Sequence, residues 1–176
     1  MTGTARPVVI VGDPVLHTET TPVTVFDDEL SHFIDDLFAT MYVAEGVGLA
    51  ATQVGDSRSV FVYDCHDDEG VTSKGHVVNP RIVATSGPEQ KMDEGCLSVP
   101  GPYAALGRPF QVTVAGQDKH GAPIEVTGTG FLARCLVHET EHLHGILYID
   151  HLNRRKRNRV LSDIEPFPWN GPLPVG

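Results

Sequence analysis

Residues 131–137 are almost entirely apolar, with Arg134 the one charged side chain, and they run directly into the sequence HETEH at 138–142. A helix this apolar is expected to be buried, and burying imidazoles and carboxylates without partners is costly. Positions i and i+4 share one helix face, so both imidazoles can reach one metal ion, with the Glu139 carboxylate beside them to take a proton from water. The pattern favours a buried central helix that carries a metal site over a chance spacing of two histidines.

The HExxH pattern alone does not identify the class of enzyme, because the third ligand decides it. Gly145 begins the metzincin pattern, but the third histidine of that pattern would fall at Tyr148, and His151 is out of register. A thermolysin-like site needs a downstream glutamate, and only Glu165 is available, directly before a proline in a proline-spaced segment. Neither class is favoured.

The cysteines offer another third ligand. They are Cys65, Cys96 and Cys135, an odd number with wide spacing, which argues against a disulfide framework. Cys96 follows a glycine that permits a tight turn, and a thiolate binds divalent transition metals tightly. Cys135 would crowd the imidazoles, and Cys65 is more often a buried small hydrophobe. If Cys96 is chosen, a Cys-His-His site with an open position for water follows.

The remaining periodicity predicts an α+β fold. Apolar residues at i, i+3, i+4, i+7 and i+11 indicate an N-terminal amphipathic helix with Asp27 and Asp28 at its start and Gly46 at its end. A second helix is expected from about residue 129 or 130 to Gly145. We predict mostly antiparallel strands packed around this buried central helix. Strands are expected at 8–11, 60–63, 76–83, 110–114 and 124–127.

The 176 residues are enough for one globular domain. We expect a single catalytic domain over 1–164 and a C-terminal tail over 165–176, whose prolines exclude a regular helix, lying on the domain or loose in solvent. No apolar run approaches the ~18 residues that a membrane span requires, and residues 1–10 lack the apolar region of a signal peptide. We therefore expect a soluble cytoplasmic protein without a membrane partner.

Charge is unevenly distributed. The formal net charge of −10 argues against general affinity for nucleic acid or anionic membranes. The chain nevertheless contains one local cluster of basic residues. Such a cluster is most often a solvated helix face, and otherwise it is a docking site for a polyanion such as ribosomal RNA. The basic residues clustered in this way are Arg154, Arg155, Lys156, Arg157 and Arg159.

The glycine-rich sequence GVGLAATQ at 46–53 formally matches a dinucleotide-binding fingerprint. That fingerprint needs a strand before the glycines and a helix after them, whereas here an amphipathic helix comes first. We therefore predict no nucleotide cofactor. The segment is better interpreted as backbone that approaches a ligand closely, with the Gln53 amide available as a donor.

Three segments now stand in order: GVGLAATQ at 46–53, EGCLSVP at 94–100 and HETEHLHG at 138–145. Together they resemble the three motifs of the peptide deformylases, and the resemblance extends from about residue 12 to about residue 150. It implies hydrolysis of the N-formyl group from the initiator methionine of newly made polypeptides, with release of formate. The nascent formylated peptide would then be the substrate, and the ribosome a possible partner through the basic cluster.

The resemblance also implies residue roles. Glu139 would be the general base and then the general acid, and Gln53 with the backbone N–H of Leu97 would stabilise the oxyanion. The metal would be one divalent ion, with Fe²⁺ favoured and Zn²⁺, Ni²⁺ or Co²⁺ also acceptable to these ligands. The implied metal ligands are Cys96, His138 and His142. The residues implied to line the substrate site, where the peptide would lie as an added strand, are Val47, Gly48, Phe131, Arg134 and Cys135.

Three positions depart from the family pattern: Val137, where glutamine is more frequent, Glu141, where aspartate is common, and Tyr103, where some members have arginine. None of them removes a ligand or the base. Two competing hypotheses remain from the sequence. One is a zinc endopeptidase that uses the same HExxH, and the other is a metal-binding relative that has lost catalysis.

Overall fold

The computed structural model describes residues 3–171 of the chain. Within that range the fold is α+β, as predicted, with one antiparallel sheet whose strands pair in chain order. The strands are β1 (Gly48–Ala50), β2 (Val60–His66), β3 (Thr72–Cys96), β4 (Val99–Gln117) and β5 (Pro123–Thr129). The helices are α1 (Asp28–Val43), α2 (Gly130–Leu143) and α3 (Arg154–Ser162).

Helix α1 is the predicted amphipathic helix. The Asp27 carboxylate accepts a hydrogen bond from the Leu30 backbone N–H at 3.0 Å, which caps the first turn. The apolar stripe packs into a core cluster with Val60 and Val62 of β2. The helix ends at Val43 rather than at Gly46, because Glu45 adopts a positive φ of 55° and turns the chain toward β1.

Helix α2 is the predicted buried central helix. Twelve of its fourteen residues are buried, and its apolar side packs against β2 and β4 through residues such as Leu132, Leu136 and Val112. The helix stops at Leu143, and Gly145 follows with a φ of 71°. The His138 and His142 side chains are thereby held inside the protein.

The predicted strand at 76–83 lies in the first half of the much longer β3, and the one at 110–114 lies in the second half of the longer β4. These two strands pair from Val78–Gln117 to Cys96–Val99, with several register shifts. Residues 81–89 are exposed, so they carry no alternation of apolar and polar side chains that would have predicted a strand. The hairpin places Cys96 at the turn that faces α2.

The strand predicted at 8–11 is wrong. The backbone amides there donate to three different segments: Val8 to Trp169 O at 2.8 Å, Val9 to Gln53 O at 2.9 Å and Val11 to Ser98 O at 2.8 Å. The segment has the extended, valine-rich character of a strand, but it has no single partner with which to form a ladder.

The chain beyond α2 packs against the rest of the domain. Helix α3, which carries the basic cluster, was not part of the predicted fold; Asn153 caps it by accepting from Lys156 N at 3.0 Å. The described part of the tail, 165–171, contains a short 3₁₀-helix (Pro168–Asn170), and Trp169 is partly buried against the core. It lies on the domain, while 172–176 lie outside the described residues and the boundary at 164 stays a prediction. No helix between residues 3 and 171 is long and apolar enough to cross a membrane.

Candidate metal centre and active site

Three metal-ligating atoms converge where the β3–β4 turn meets α2. The Cys96 Sγ lies 3.2 Å from His142 Nε2, and the two histidine Nε2 atoms lie 3.2 Å apart. All three atoms lie within 4.8 Å of one another. The helical i, i+4 spacing brings the imidazoles together, and the turn after β3 brings the sulfur, so the three side chains can bind one metal ion.

Glu94 orients one of these imidazoles. The Nδ1 of His138 donates to Glu94 Oε1 at 2.8 Å, which leaves Nε2 facing the sulfur and the second imidazole. The same carboxylate accepts from Arg108 at 2.7 and 3.0 Å and from Arg134 at 2.7 Å. Burial alone would raise the pKa of Glu94, but the hydrogen bonds from His138 and Arg108 hold it well below its usual range.

The two imidazoles differ in their surroundings. Burial would lower the pKa of His138, but its hydrogen bonds with Cys96 and Glu94 raise it well above the usual value. Burial, and then the charge of His138 beside it, lower the pKa of His142 well below its usual value, and its Nδ1 has no partner among the described residues. The Tyr148 ring stacks on His138 with centroids 6.3 Å apart. The site therefore favours a neutral imidazole at His142, which is the form that binds a metal.

Glu139 is placed for proton transfer. Its carboxylate lines the same cavity as His138, and Oε2 is buried without a hydrogen-bond partner among the described residues. Burial raises its pKa to about 7. The backbone of Gly48 passes so close that a Cβ there would collide with Glu139 Oε1. A buried carboxylate with a pKa near neutrality can both accept and donate a proton.

The Gln53 amide has a fixed orientation. Its Oε1 accepts from the Ala50 backbone N–H at 2.9 Å, so Nε2 must point the other way. Nε2 lies 3.6 Å from Cys96 Sγ and 3.3 Å from Ser98 Oγ. Leu97 lies in the turn between Cys96 and Ser98. A donor is thus presented beside the metal-ligating atoms.

The site opens into a cavity of about 430 Å³. Cys135 is buried there, with its thiol 3.7 Å from Val47 O. Arg134 is 2% exposed, and its guanidinium donates to Glu94 and to the carbonyls of Gln90 and Leu106. All the residues expected to line the substrate site lie on this cavity: Val47, Gly48, Phe131, Arg134 and Cys135.

The alternative ligands considered from the sequence do not join the metal-ligating group. Within the described residues, the cysteine and histidine group that could hold an ion contains neither Cys65 nor Cys135. Glu165 is exposed, and its backbone N–H donates to Pro100 O at 3.0 Å. A thermolysin-like ligand set is therefore not assembled by this fold.

The three positions that depart from the family pattern have distinct surroundings. Val137 is buried in α2, and Tyr103 is exposed at the cavity. Glu141 accepts two bonds of 2.9 Å from Arg108 and one of 2.9 Å from His151. Glu141 thus extends the charged network that begins at Glu94.

Sequence reasoning missed several residues of this site. Glu94 lies inside the EGCLSVP motif, so its position beside Cys96 was a usable signal. Arg108 lies in β4 without any local pattern that links it to Glu94. Phe167 and Trp169 line the cavity, although the sequence assigned them only to a proline-containing tail and gave them no role in the site.

Comparison with known proteins gives a consistent set of relatives. The model of the polypeptide deformylase family matches residues 5–158. Peptide deformylase 1 of Streptomyces avermitilis is 52% identical over 170 residues, which cover 93% of this chain and 79% of that protein. A crystal structure of a peptide deformylase from Legionella pneumophila has a TM-score of 0.83 and 42% identity, covering 91% of this chain and 93% of its own. A crystal structure of a peptide deformylase from Ehrlichia chaffeensis in complex with actinonin has a TM-score of 0.85 and 34% identity, covering 90% of this chain and 95% of its own.

Proposed function

Because the chain belongs to the polypeptide deformylase family, we propose that it is a metal-dependent hydrolase that removes the N-formyl group from the initiator methionine of newly made polypeptides and releases formate. The observation that carries this proposal is a group of three metal-ligating side chains, two of which, Cys96 and His138, line the same cavity as Glu139 with its unpartnered carboxylate oxygen. A hydrolase of this kind needs a cation and a proton carrier beside it, and this site offers ligands for the cation and a carboxylate for the proton.

We propose Cys96, His138 and His142 as the ligands of one divalent ion. One thiolate and two imidazoles suit Fe²⁺, Zn²⁺, Ni²⁺ or Co²⁺, and the family resemblance favours Fe²⁺. Held by these three residues, such an ion would supply Lewis-acid chemistry and would lower the pKa of water beside Glu139. Glu94 supports the set by fixing the tautomer and the orientation of His138.

Glu139 is proposed to carry the proton. In its ionised form it accepts a proton from the attacking water, and it then donates that proton to the nitrogen of the departing methionine. Its pKa of about 7 suits both directions of transfer near neutral pH. The Oε2 atom, which has no hydrogen-bond partner among the described residues, is free to take part in this exchange.

Gln53 and Leu97 are proposed to stabilise the negative charge that develops on the formyl oxygen. The hydrogen bond from Ala50 to Oε1 holds the Gln53 amide with Nε2 toward the site before the substrate arrives. A donor that is oriented in advance costs no reorganisation during the reaction, which is why such groups contribute strongly to rate.

The methionine side chain is proposed to occupy the part of the cavity formed by α2 and the segment before β1. Phe131 and Cys135 supply an apolar wall there, and the backbone of Val47 and Gly48 lies close enough for the peptide to add as a strand. The thioether of methionine is flexible and polarisable, so it fits an irregular apolar wall.

Formylated nascent peptides are the proposed substrates, and we propose the cytoplasm as the place of action. A ribosome contact is proposed through the basic cluster on α3. Arg154, Arg155 and Lys156 are exposed there, whereas Arg157 is partly buried and forms an ion pair with Asp150 at 3.2 Å.

The experiment measures formate release from formyl-Met-Ala-Ser by protein loaded with Fe²⁺ or Ni²⁺ under nitrogen. We expect turnover by the wild type and a loss of about 10²–10⁴-fold in Glu139→Gln, because the proton carrier is removed while the ligands remain. Absence of formate from metal-loaded wild type, or cleavage of an internal peptide bond instead, would contradict the proposal.

The ligand assignment has its own test. Cys96→Ala should lose the bound ion in an elemental analysis after dialysis, since the sulfur ligand is removed. Cys65→Ala is the matched control because it also removes a buried thiol, one that lies outside the ligand group. Full metal retention by Cys96→Ala would refute the assignment.

A further inference from the structure

The tail presents two aromatic rings to the cavity that holds the metal-ligating atoms. Phe167 and Trp169 both line this cavity, and their rings stack with centroids 4.6 Å apart and planes 16° apart. Phe167 is 42% exposed, an unusually open position for a phenylalanine. An exposed aromatic face beside a substrate cavity can bury more apolar surface when the substrate is bound.

The position of these rings is fixed by hydrogen bonds at both ends of the described part of the tail, 165–171. The Glu165 backbone N–H donates to Pro100 O at 3.0 Å, and the Asn170 side chain donates to Leu97 O at 3.2 Å and to Val8 O at 3.1 Å. The tail therefore runs along 97–100, the second half of the EGCLSVP motif. This is the backbone that lies next to the reacting group in the proposed function.

The aromatic pair and the proposed methionine pocket lie on different parts of the lining. Phe131 and Cys135 belong to α2 and pack with the core cluster between α2 and the sheet. Trp169 and Leu97 pack instead against the cluster around α1. A peptide whose methionine side chain contacts α2 therefore has the tail as a separate surface for the residues that follow.

We propose that Phe167 and Trp169 form a subsite for an apolar or aromatic side chain in one of the two residues after formyl-methionine. This inference rests on the proposed deformylase function. Successive side chains of an extended peptide point to opposite sides, so one of these two residues faces the tail while the other faces solvent. A ring placed against the stacked pair gains aromatic contact in addition to buried area.

The kinetic test compares kcat/KM for formyl-Met-Phe-Ser and formyl-Met-Ala-Phe with that for formyl-Met-Ala-Ser. We expect the wild type to prefer one of the phenylalanine peptides by about two- to tenfold, the range expected for one aromatic contact. Phe167→Ala should bring this ratio close to one. A general structural defect would lower all three rates together and leave the ratio unchanged.

Leu161→Ala is the matched control, because Leu161 is an apolar side chain of α3 with 37% exposure that does not line the cavity. It should keep the wild-type ratio. A ratio that is the same in Phe167→Ala and in the wild type at both peptide positions would overturn the inference, and so would a wild type without any preference.

A binding test separates this inference from the proposed function. Trp169 is the only tryptophan of the chain, so its emission reports directly on this surface. Adding formyl-Met-Phe-Ser to the Glu139→Gln protein should change the tryptophan emission in a saturable way. The change should be weaker in the double variant that also carries Phe167→Ala. Unchanged emission at saturating peptide would refute the subsite even if formate is released, whereas absence of formate from every peptide would refute the proposed function itself.

Discussion

The imidazole of His138 and the carboxylate of Glu94 form a hydrogen bond of 2.8 Å between two buried side chains. Glu94 lies two residues before Cys96, so one strand end supplies both the sulfur and the group that orients an imidazole. Two arginines hold the same carboxylate. The geometry of the candidate metal centre therefore depends on a charged network behind it as much as on the three ligands.

Replacing Glu94 should weaken both metal binding and the fold. Glu94→Gln leaves the buried Arg134 without its counter-ion and Arg108 with Glu141 alone, and breaking a buried ion pair typically costs about 3–5 kcal/mol of unfolding free energy. It also weakens the orientation of His138, so metal affinity should fall about 10- to 100-fold. Urea unfolding and metal competition measure the two effects. Glu89→Gln, at an exposed glutamate of the same strand, should change neither.

The effect of Glu94 on stability should depend on pH. Its pKa in the folded protein is held well below the ordinary value of 4.5, so its stabilising contribution is present in full above that value. As the pH falls below 4.5 the contribution is lost progressively, because the unfolded chain takes up the proton first. The difference in unfolding free energy between wild type and Glu94→Gln, measured with a chelator present, should shrink toward acid pH. A difference that widens there would contradict this account.

Gly48→Ala should lower activity without removing the ion. The added Cβ would collide with the Glu139 carboxylate and also approach Cys135 Sγ to 2.9 Å. Displacing a catalytic group by about 1 Å can cost on the order of 10²-fold in rate. Steady-state kinetics and metal content check the prediction. An active Gly48→Ala enzyme would show that the carboxylate tolerates displacement.

Gln53→Glu should distinguish the role of the Gln53 Nε2 donor from that of the Oε1 acceptor. The variant keeps an oxygen that can accept from Ala50 but removes the Nε2 donor beside Cys96. We expect kcat to fall by about 10²–10³-fold while the protein stays folded and metal-loaded. Near-normal kcat in this variant would exclude Gln53 from stabilising the oxyanion.

The proposed ribosome contact is tested by reversing charge on α3. Changing Arg154, Arg155 and Lys156 to Glu leaves the ion pair between Arg157 and Asp150 intact, so the helix should keep its packing. Co-sedimentation with ribosomes should weaken, most clearly at low salt, because the contact is electrostatic. Turnover of formyl-Met-Ala-Ser should be unaffected. Co-sedimentation equal to that of the wild type would exclude a ribosome contact through this surface.

The parts of the fold predicted from sequence are those with local signals. Helices α1 and α2 have periodic apolar residues, and the metal-ligating atoms lie in two compact motifs. The pairing of Glu94 with Arg108 depends on the register of a long hairpin, and no local pattern encodes it. For the same reason, 8–11 looked like a strand, since sequence alone does not say whether an extended segment has one partner or three.

The contact between the two ends of the described chain has a consequence for biosynthesis. Asn170 bonds Val8 across 162 positions of sequence, and the carbonyl of Trp169 accepts from the same residue. Translation must therefore reach residue 170 before the aromatic side of the cavity can close. Contacts of such long sequence separation also form late in folding, because closing the loop costs entropy first. A copy still emerging from its own ribosome would thus hold an unfinished cleft.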